Sequence, residues 1–186
     1  MPVVTELRVL LLEDNPADAE LNERVLRKAG MEFVAMRVDS ESAFKQALQD
    51  FKPDIVLADY NLPSFNGSVA LEYLQRAHPD LPVIMVTGAI GEEKAVELLR
   101  AGARDYILKD RLARLPAAIR QAIDVQNEIR ARRESEQRLR EAENKFRMLF
   151  ETANDGIFIL DESGFVDCNQ KAACMYGLAK KEMFGH

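Results

Sequence analysis

The sequence predicts an α/β fold built on a parallel sheet with helices on both faces. Three observations carry that reading. Between Leu7 and Gln121, short apolar runs of strand length alternate with amphipathic runs of helical length, five times over. The first strand run is continuously aliphatic over residues 9–12, as in a strand buried on both faces. Helix-capping and helix-breaking residues stand where the rhythm changes.

The elements follow in order. Residues 8–13 form the first strand, which ends in two adjacent carboxylates, Glu13 and Asp14. At about 4 Å and an effective dielectric near 20 such a repulsion is on the order of 4 kcal/mol, so a counter-charge is expected nearby. Asn15 then caps a helix over residues 16–29, with Pro16 at the first helical position, where its missing N–H costs nothing. Gly30 closes that helix. A strand over residues 33–38 leads to a helix over 42–50, which "KPD" at 52–54 breaks before the third strand, 55–59. A helix over 68–77 stops at "HPDLP" before the fourth strand, 83–87, and a helix over 92–101 stops at Gly102 before the fifth strand, 105–109. A last helix begins near Arg111. No residue-matched repeat of solenoid length appears.

Composition narrows the function classes. A chain of 186 residues supports one full domain and part of another, and 47% hydrophobic with 30% charged residues describes a soluble globular protein. No apolar run approaches the roughly 20 residues of a membrane span, and "MPVVTELR" lacks the basic start and apolar core of a signal peptide, so a cytoplasmic location is expected. Cys168 and Cys174 match no common zinc spacing and are expected to be ordinary reduced thiols. Residues 1–110 carry a net charge of −7 and residues 111–150 carry +4. In the basic segment the signs interleave ("RARRESEQRLREAENK"), which fits an exposed helix with intrahelical pairs rather than a nucleic-acid surface.

Functional groups in parallel α/β sheets gather outside the carboxyl ends of the strands. There the first strand offers Glu13 and Asp14, the third Asp59, the fourth Thr87 and the fifth Lys109, while the second offers only Val38 and Asp39. Three carboxylates without His or Cys suit a hard, oxygen-loving cation, magnesium before zinc. An aspartate can also act as a nucleophile toward phosphorus. A metal ion, an ammonium and a hydroxyl would then offset charge on the transferring phosphoryl oxygens. Asp18 and Glu20, one turn into the first helix, are expected to be solvated, and His78 to be a loop residue.

These residues carry a resemblance. "VLLLEDNPAD", "PDIVLADYNLPSFNG", "PVIMVTGA" and "AGARDYILKD" occur in the order and spacing of the receiver domain of two-component response regulators, which residues 7–124 resemble. The resemblance implies a flavodoxin-like (βα)5 doubly wound sheet of strand order 2-1-3-4-5. It implies that Asp59 accepts a phosphoryl group from a phosphohistidine of a sensor histidine kinase or phosphotransfer protein. Mg2+, or Mn2+ in its place, would be held by Glu13, Asp14, Asp59 and the backbone carbonyl of Asn61. Lys109 and Thr87 would contact the phosphoryl oxygens, and Tyr106 would be the aromatic switch residue. One departure stands out: the family usually follows its lysine with a proline across a cis bond, whereas here Asp110 follows Lys109. A non-proline cis bond costs roughly 2.5 to 4 kcal/mol, so a trans bond or a strained exception is expected.

From Leu112 to Phe150 there is no glycine, and Pro116 falls early enough for a first helical turn. A rod of about 50 to 57 Å is expected. Its apolar stripe Leu112, Leu115, Ile119 and Ala122 covers the sheet, and the rhythm resumes one position out of phase at Leu139, Ala142, Phe146 and Leu149. A homodimer through a locally strained coiled coil is the expectation. Residues 156–160 and 165–168 then read as a hairpin around "DESG", with Gly164 free to take positive φ. This resembles the opening of a PAS sensor domain.

The organisation expected is therefore a receiver over residues 1–124, a helical linker over 112–150, and the N-terminal α+β fragment of a PAS domain over 146–186, with any kinase, cyclase or other output lying downstream. A hairpin short of its remaining strands is marginal in water, so order is expected to weaken beyond Phe150 unless a dimer supports it. Two other function classes are weaker. A magnesium phosphohydrolase with an aspartate nucleophile usually needs a second acid two residues on, where Asn61 stands. A nucleotide or flavin module needs a phosphate loop after the first strand, where "EDNPAD" would repel phosphate.

Overall fold

The alternation resolves into β1 (Leu7–Leu12), α1 (Pro16–Lys28), β2 (Phe33–Val38), α2 (Glu41–Asp50), β3 (Ile55–Asp59), α3 (Gly67–Ala77), β4 (Val83–Thr87), α4 (Glu92–Arg100), β5 (Asp105–Leu108) and α5 (Leu115–Thr152). They come from a computed structural model that describes residues 6–63, 65–88, 91–162 and 164–176. The five strands pair in parallel in the order β2-β1-β3-β4-β5, as the resemblance implied.

Because side chains alternate across a strand, the aliphatic runs feed two cores at once. Val9, Leu11, Ile55, Leu57, Ile84, Val86 and Ile107 face α1 and α5, meeting Ala19, Leu26, Leu115, Ile119 and Ala122. Leu10, Leu12, Val56, Ala58, Val83 and Met85 face the other way, against Phe44 and Leu48 of α2, Leu71 and Leu74 of α3 and Leu98 of α4. With both faces covered, the carboxyl edge of the sheet is left for polar groups.

The caps form as read. Asn15 accepts from the Ala17 N–H at 3.0 Å, and Gly30 and Gly102 take φ of +70° and +103° past their helices. The last helix of the sheet differs. Residues Lys109–Arg114 form a 3-10 turn with Arg111 at φ −123°, and the α-helix starts only at Leu115. Pro116 explains this: it has no N–H for the Leu112 carbonyl, and its ring would clash with that carbonyl in a continuous α-helix. Among the described residues no peptide bond is cis, so Lys109 and Asp110 are joined in trans.

The chain divides into two compact units, Met1–Ile129 and Arg130–His186, and α5 contributes to both. In the second unit β6 (Phe158–Asp161) and β7 (Gly164–Cys168) form an antiparallel hairpin with Gly164 at φ +122°, followed by α6 (Gln170–Tyr176). The first strand starts two residues later than Gly156. The Ile157 N–H leaves the ladder for the Asn169 side-chain carbonyl at 2.9 Å, and a Cβ at Gly156 would crowd Ala172. Asn169 is fully buried and caps α6 through the Ala172 N–H while donating to the Asp155 carbonyl. Residues 177–186 of the PAS-like stretch lie outside the described residues.

Candidate functional site

Glu13, Asp14, Asp59, Thr87 and Lys109 gather at the carboxyl edge of the sheet, each placed by the strand it ends or follows. Glu13 follows β1 with its amide bonded to the Val38 carbonyl of β2 at 3.0 Å. Asp59 ends β3 and Thr87 ends β4, and all three side chains are buried, Glu13 at 2%, Asp59 at 6% and Thr87 at 0% exposure. Asp14 is exposed beside them. One carboxylate oxygen each from Glu13, Asp14 and Asp59 lies within 4.8 Å of the others, a group able to hold a metal ion. An all-oxygen donor set of this charge fits a hard divalent cation.

Lys109 supplies the counter-charge that the acidic pair called for. Its Nζ donates to Glu13 Oε2 at 2.9 Å, to Asp59 Oδ2 at 2.7 Å and to Asp18 Oδ2 at 2.6 Å. Burial works against the ammonium, but the three carboxylates outweigh it and hold its pKa above the ordinary lysine value. Glu13 is displaced upward. Burial is the main cause, opposed by the hydrogen bonds from Lys109 and the Asn15 amide.

The Asp59 loop is held by its own backbone. The Asn61 N–H donates to Asp59 Oδ1 at 3.1 Å. A Cβ at Gly67 would collide with the Asp59 carbonyl oxygen, which explains a glycine at the start of α3. The Thr87 hydroxyl has no hydrogen-bond partner among the described residues. Such a buried orphan costs about 1–3 kcal/mol, and it lies on the strand next to Asp59. Tyr106 is half-buried on β5, opposite Met85 of β4, and packs against the core that includes Leu98 of α4. Ala89 of the expected threonine motif lies outside the described residues.

Asp18 and Arg37 do more in the site than the sequence pattern indicates. Asp18, expected to be solvated, makes the shortest of the three Lys109 bonds: it stands in the first turn of α1, whose start follows directly on the acidic pair. The carboxyl end of β2 offers more than Val38 and Asp39. Arg37 donates to the backbone carbonyls of Glu13 at 2.9 Å and Asp14 at 3.4 Å and pairs with Asp39 at 3.3 Å, tying the acidic loop to β2. The available signal was a lone cation next to the last residue of that strand. His78 ends α3, its N–H bonded to the Leu74 carbonyl, in the loop as expected.

Comparison with known proteins points one way. Residues 9–120 match the family model of the response regulator receiver domain, and residues 144–185 match a PAS domain model. The chain is similar to response regulator protein FleR of Pseudomonas aeruginosa, 37% identical over 102 residues, covering 55% of this chain and 21% of that protein. It is also similar to response regulator GacA of Pseudomonas viridiflava, 34% identical over 116 residues, covering 61% of this chain and 54% of that one. The chain thus spans about half or less of these curated relatives. Among solved structures, a CheY-like receiver domain protein from Methanospirillum hungatei superposes with a TM-score of 0.58 at 26% identity, covering 67% of this chain and 98% of that one. The receiver domain of NtrX from Brucella abortus does so with a TM-score of 0.57 at 28% identity, over 62% of this chain and 98% of that one.

Proposed function

The chain belongs to the response regulator receiver family, and from that membership we propose that it is a magnesium-dependent phosphoacceptor switch whose phosphorylated residue is Asp59. The observation that carries the reading is the convergence of the Lys109 ammonium on the buried Asp59 carboxylate, 2.7 Å away, inside the acidic cleft. An Asp59 oxygen attacks the phosphorus of a phosphohistidine on a sensor kinase or phosphotransfer protein. The P–N bond breaks, the electron pair returns to the imidazole, and an aspartyl phosphate remains.

The surrounding residues have separable tasks. Lys109 pairs with the phosphoryl oxygens, and the Thr87 hydroxyl gains in one of them the acceptor it otherwise lacks. Glu13, Asp14, Asp59 and the Asn61 carbonyl would hold a divalent cation, which offsets phosphoryl charge. Movement of Thr87 frees space for Tyr106 to turn inward, changing the surface around α4. Hydrolysis of the acyl phosphate resets the switch.

Residues 1–124 act as the receiver, residues 112–150 as a helical linker that pairs with a second copy, and residues 146–186 as the start of a PAS domain. No helix among the described residues is long and apolar enough to cross a membrane, and we place the protein in the cytoplasm with its kinase partner. The test is incorporation of phosphoryl from a small acyl-phosphate donor, with and without magnesium, in the wild type and in Asp59→Asn. Labelling of the wild type alone, and only with the cation, is expected; equal labelling of both proteins sinks the assignment.

A further inference from the structure

The geometry points to Asp18 as a positioning residue that holds Lys109 in the resting site and is exchanged for a phosphoryl oxygen when Asp59 is modified. This inference rests on Asp59 being the phosphoacceptor. An ammonium has three N–H donors, and here each is committed: to Glu13 at 2.9 Å, Asp59 at 2.7 Å and Asp18 at 2.6 Å. Lys109 therefore has no donor in reserve, and engaging a new oxygen requires it to release a carboxylate.

Exposure decides which one. The Glu13 side chain is 3% exposed, and its other oxygen already accepts from the Asn15 amide, so water cannot replace Lys109 there. The Asp59 side chain is 8% exposed and is itself the group being modified. Asp18 is 32% exposed, so on release its carboxylate is solvated at little cost. Its place in the first turn of α1 keeps it favoured by the helix dipole when unpaired. Asp18 thus competes with the phosphoryl group for Lys109. Removing its charge leaves at most a neutral acceptor for that Lys109 donor, which a phosphoryl oxygen outcompetes, and lowers the negative charge of the occupied site.

The test is the affinity for beryllium fluoride, a noncovalent phosphoryl mimic, measured calorimetrically at saturating magnesium on the full chain. Asp18→Asn is expected to bind it more tightly by roughly two- to fivefold, the range of a partly exposed ion pair. Asp18→Glu, which keeps the anion, is expected to return to the wild-type value. Thermal unfolding establishes that the variants are folded, and Asp18→Ser takes the place of Asp18→Asn if that one is not. A merely structural Asp18 would weaken binding in Asn and Ser alike. Unchanged or weaker binding by a folded charge-free variant overturns the inference while leaving the phosphoacceptor reading intact. Binding that survives Asp59→Asn, or is absent from the wild type, overturns that reading instead.

Discussion

Thr87 shows how a residue can lower stability and still belong where it stands. Its fully buried hydroxyl has no partner, so Thr87→Val is expected to leave unfolding free energy unchanged or raise it by up to about 1–3 kcal/mol. The same change removes a donor to the phosphoryl oxygens, and labelling from an acyl-phosphate donor should slow by about tenfold or more, the worth of a hydrogen bond to a charged group. Equal labelling rates would remove Thr87 from the site. Glu13 makes a second prediction. Its pKa lies above the ordinary 4.5, chiefly through burial. The fold therefore holds this proton more tightly than the unfolded chain does, and the burial cost of the carboxylate is fully felt only above its folded pKa. A bound cation needs the deprotonated form, so magnesium affinity should fall on acidification with a midpoint above 4.5, with protons released on binding. Calorimetry across acidic pH checks this, and proton release that is absent near that midpoint contradicts it. Lys109 has a linkage of the same sign in the alkaline range: its folded pKa is raised, so the stability from its pairing is present below the ordinary 10.5 as long as its carboxylate partners are ionised, and is lost as pH rises beyond it.

At the scale of elements, the two ends of α5 differ in burial. Ile119 is fully buried against the sheet, and Ile119→Ala is expected to cost about 2–5 kcal/mol in denaturant unfolding. Leu139 is 62% exposed on the same helix, so Leu139→Ala should leave that transition within about 0.5 kcal/mol; a comparable loss from both would contradict the division. The strands, their order and the helix caps were legible in the sequence because aliphatic runs, prolines and glycines act locally. Glu13, Asp59, Thr87 and Lys109 were legible because each ends or directly follows a strand, and strand ends share one edge. Asp18, Arg37 and Asn169 were not, since their roles depend on where a side chain reaches across elements. The 3-10 turn before α5 was half legible: Pro116 was tolerated as read, but the interruption it imposes on the preceding turn was not foreseen.

At the scale of the whole molecule, the second unit carries exposed Leu139, Phe146 and Leu149 on one side of a helix otherwise laced with pairs such as Arg132 with Glu136 and Arg138 with Glu134. Such an apolar set on a charged helix fits a self-pairing seam. Light scattering should give twice the 21.0 kDa chain mass, and Leu139→Glu with Phe146→Glu should return it to the monomer; a monomeric wild type would remove the dimer. We propose that these groups serve one phosphorylated carboxylate, Asp59. The most direct test is peptide mass spectrometry after incubation with an acyl-phosphate donor and magnesium, with borohydride reduction to trap the acyl phosphate. One reduced site is expected, at Asp59, and it disappears when magnesium is chelated. A trapped site at Asp14 or Asp18, or none at Asp59 under saturating magnesium, would contradict it.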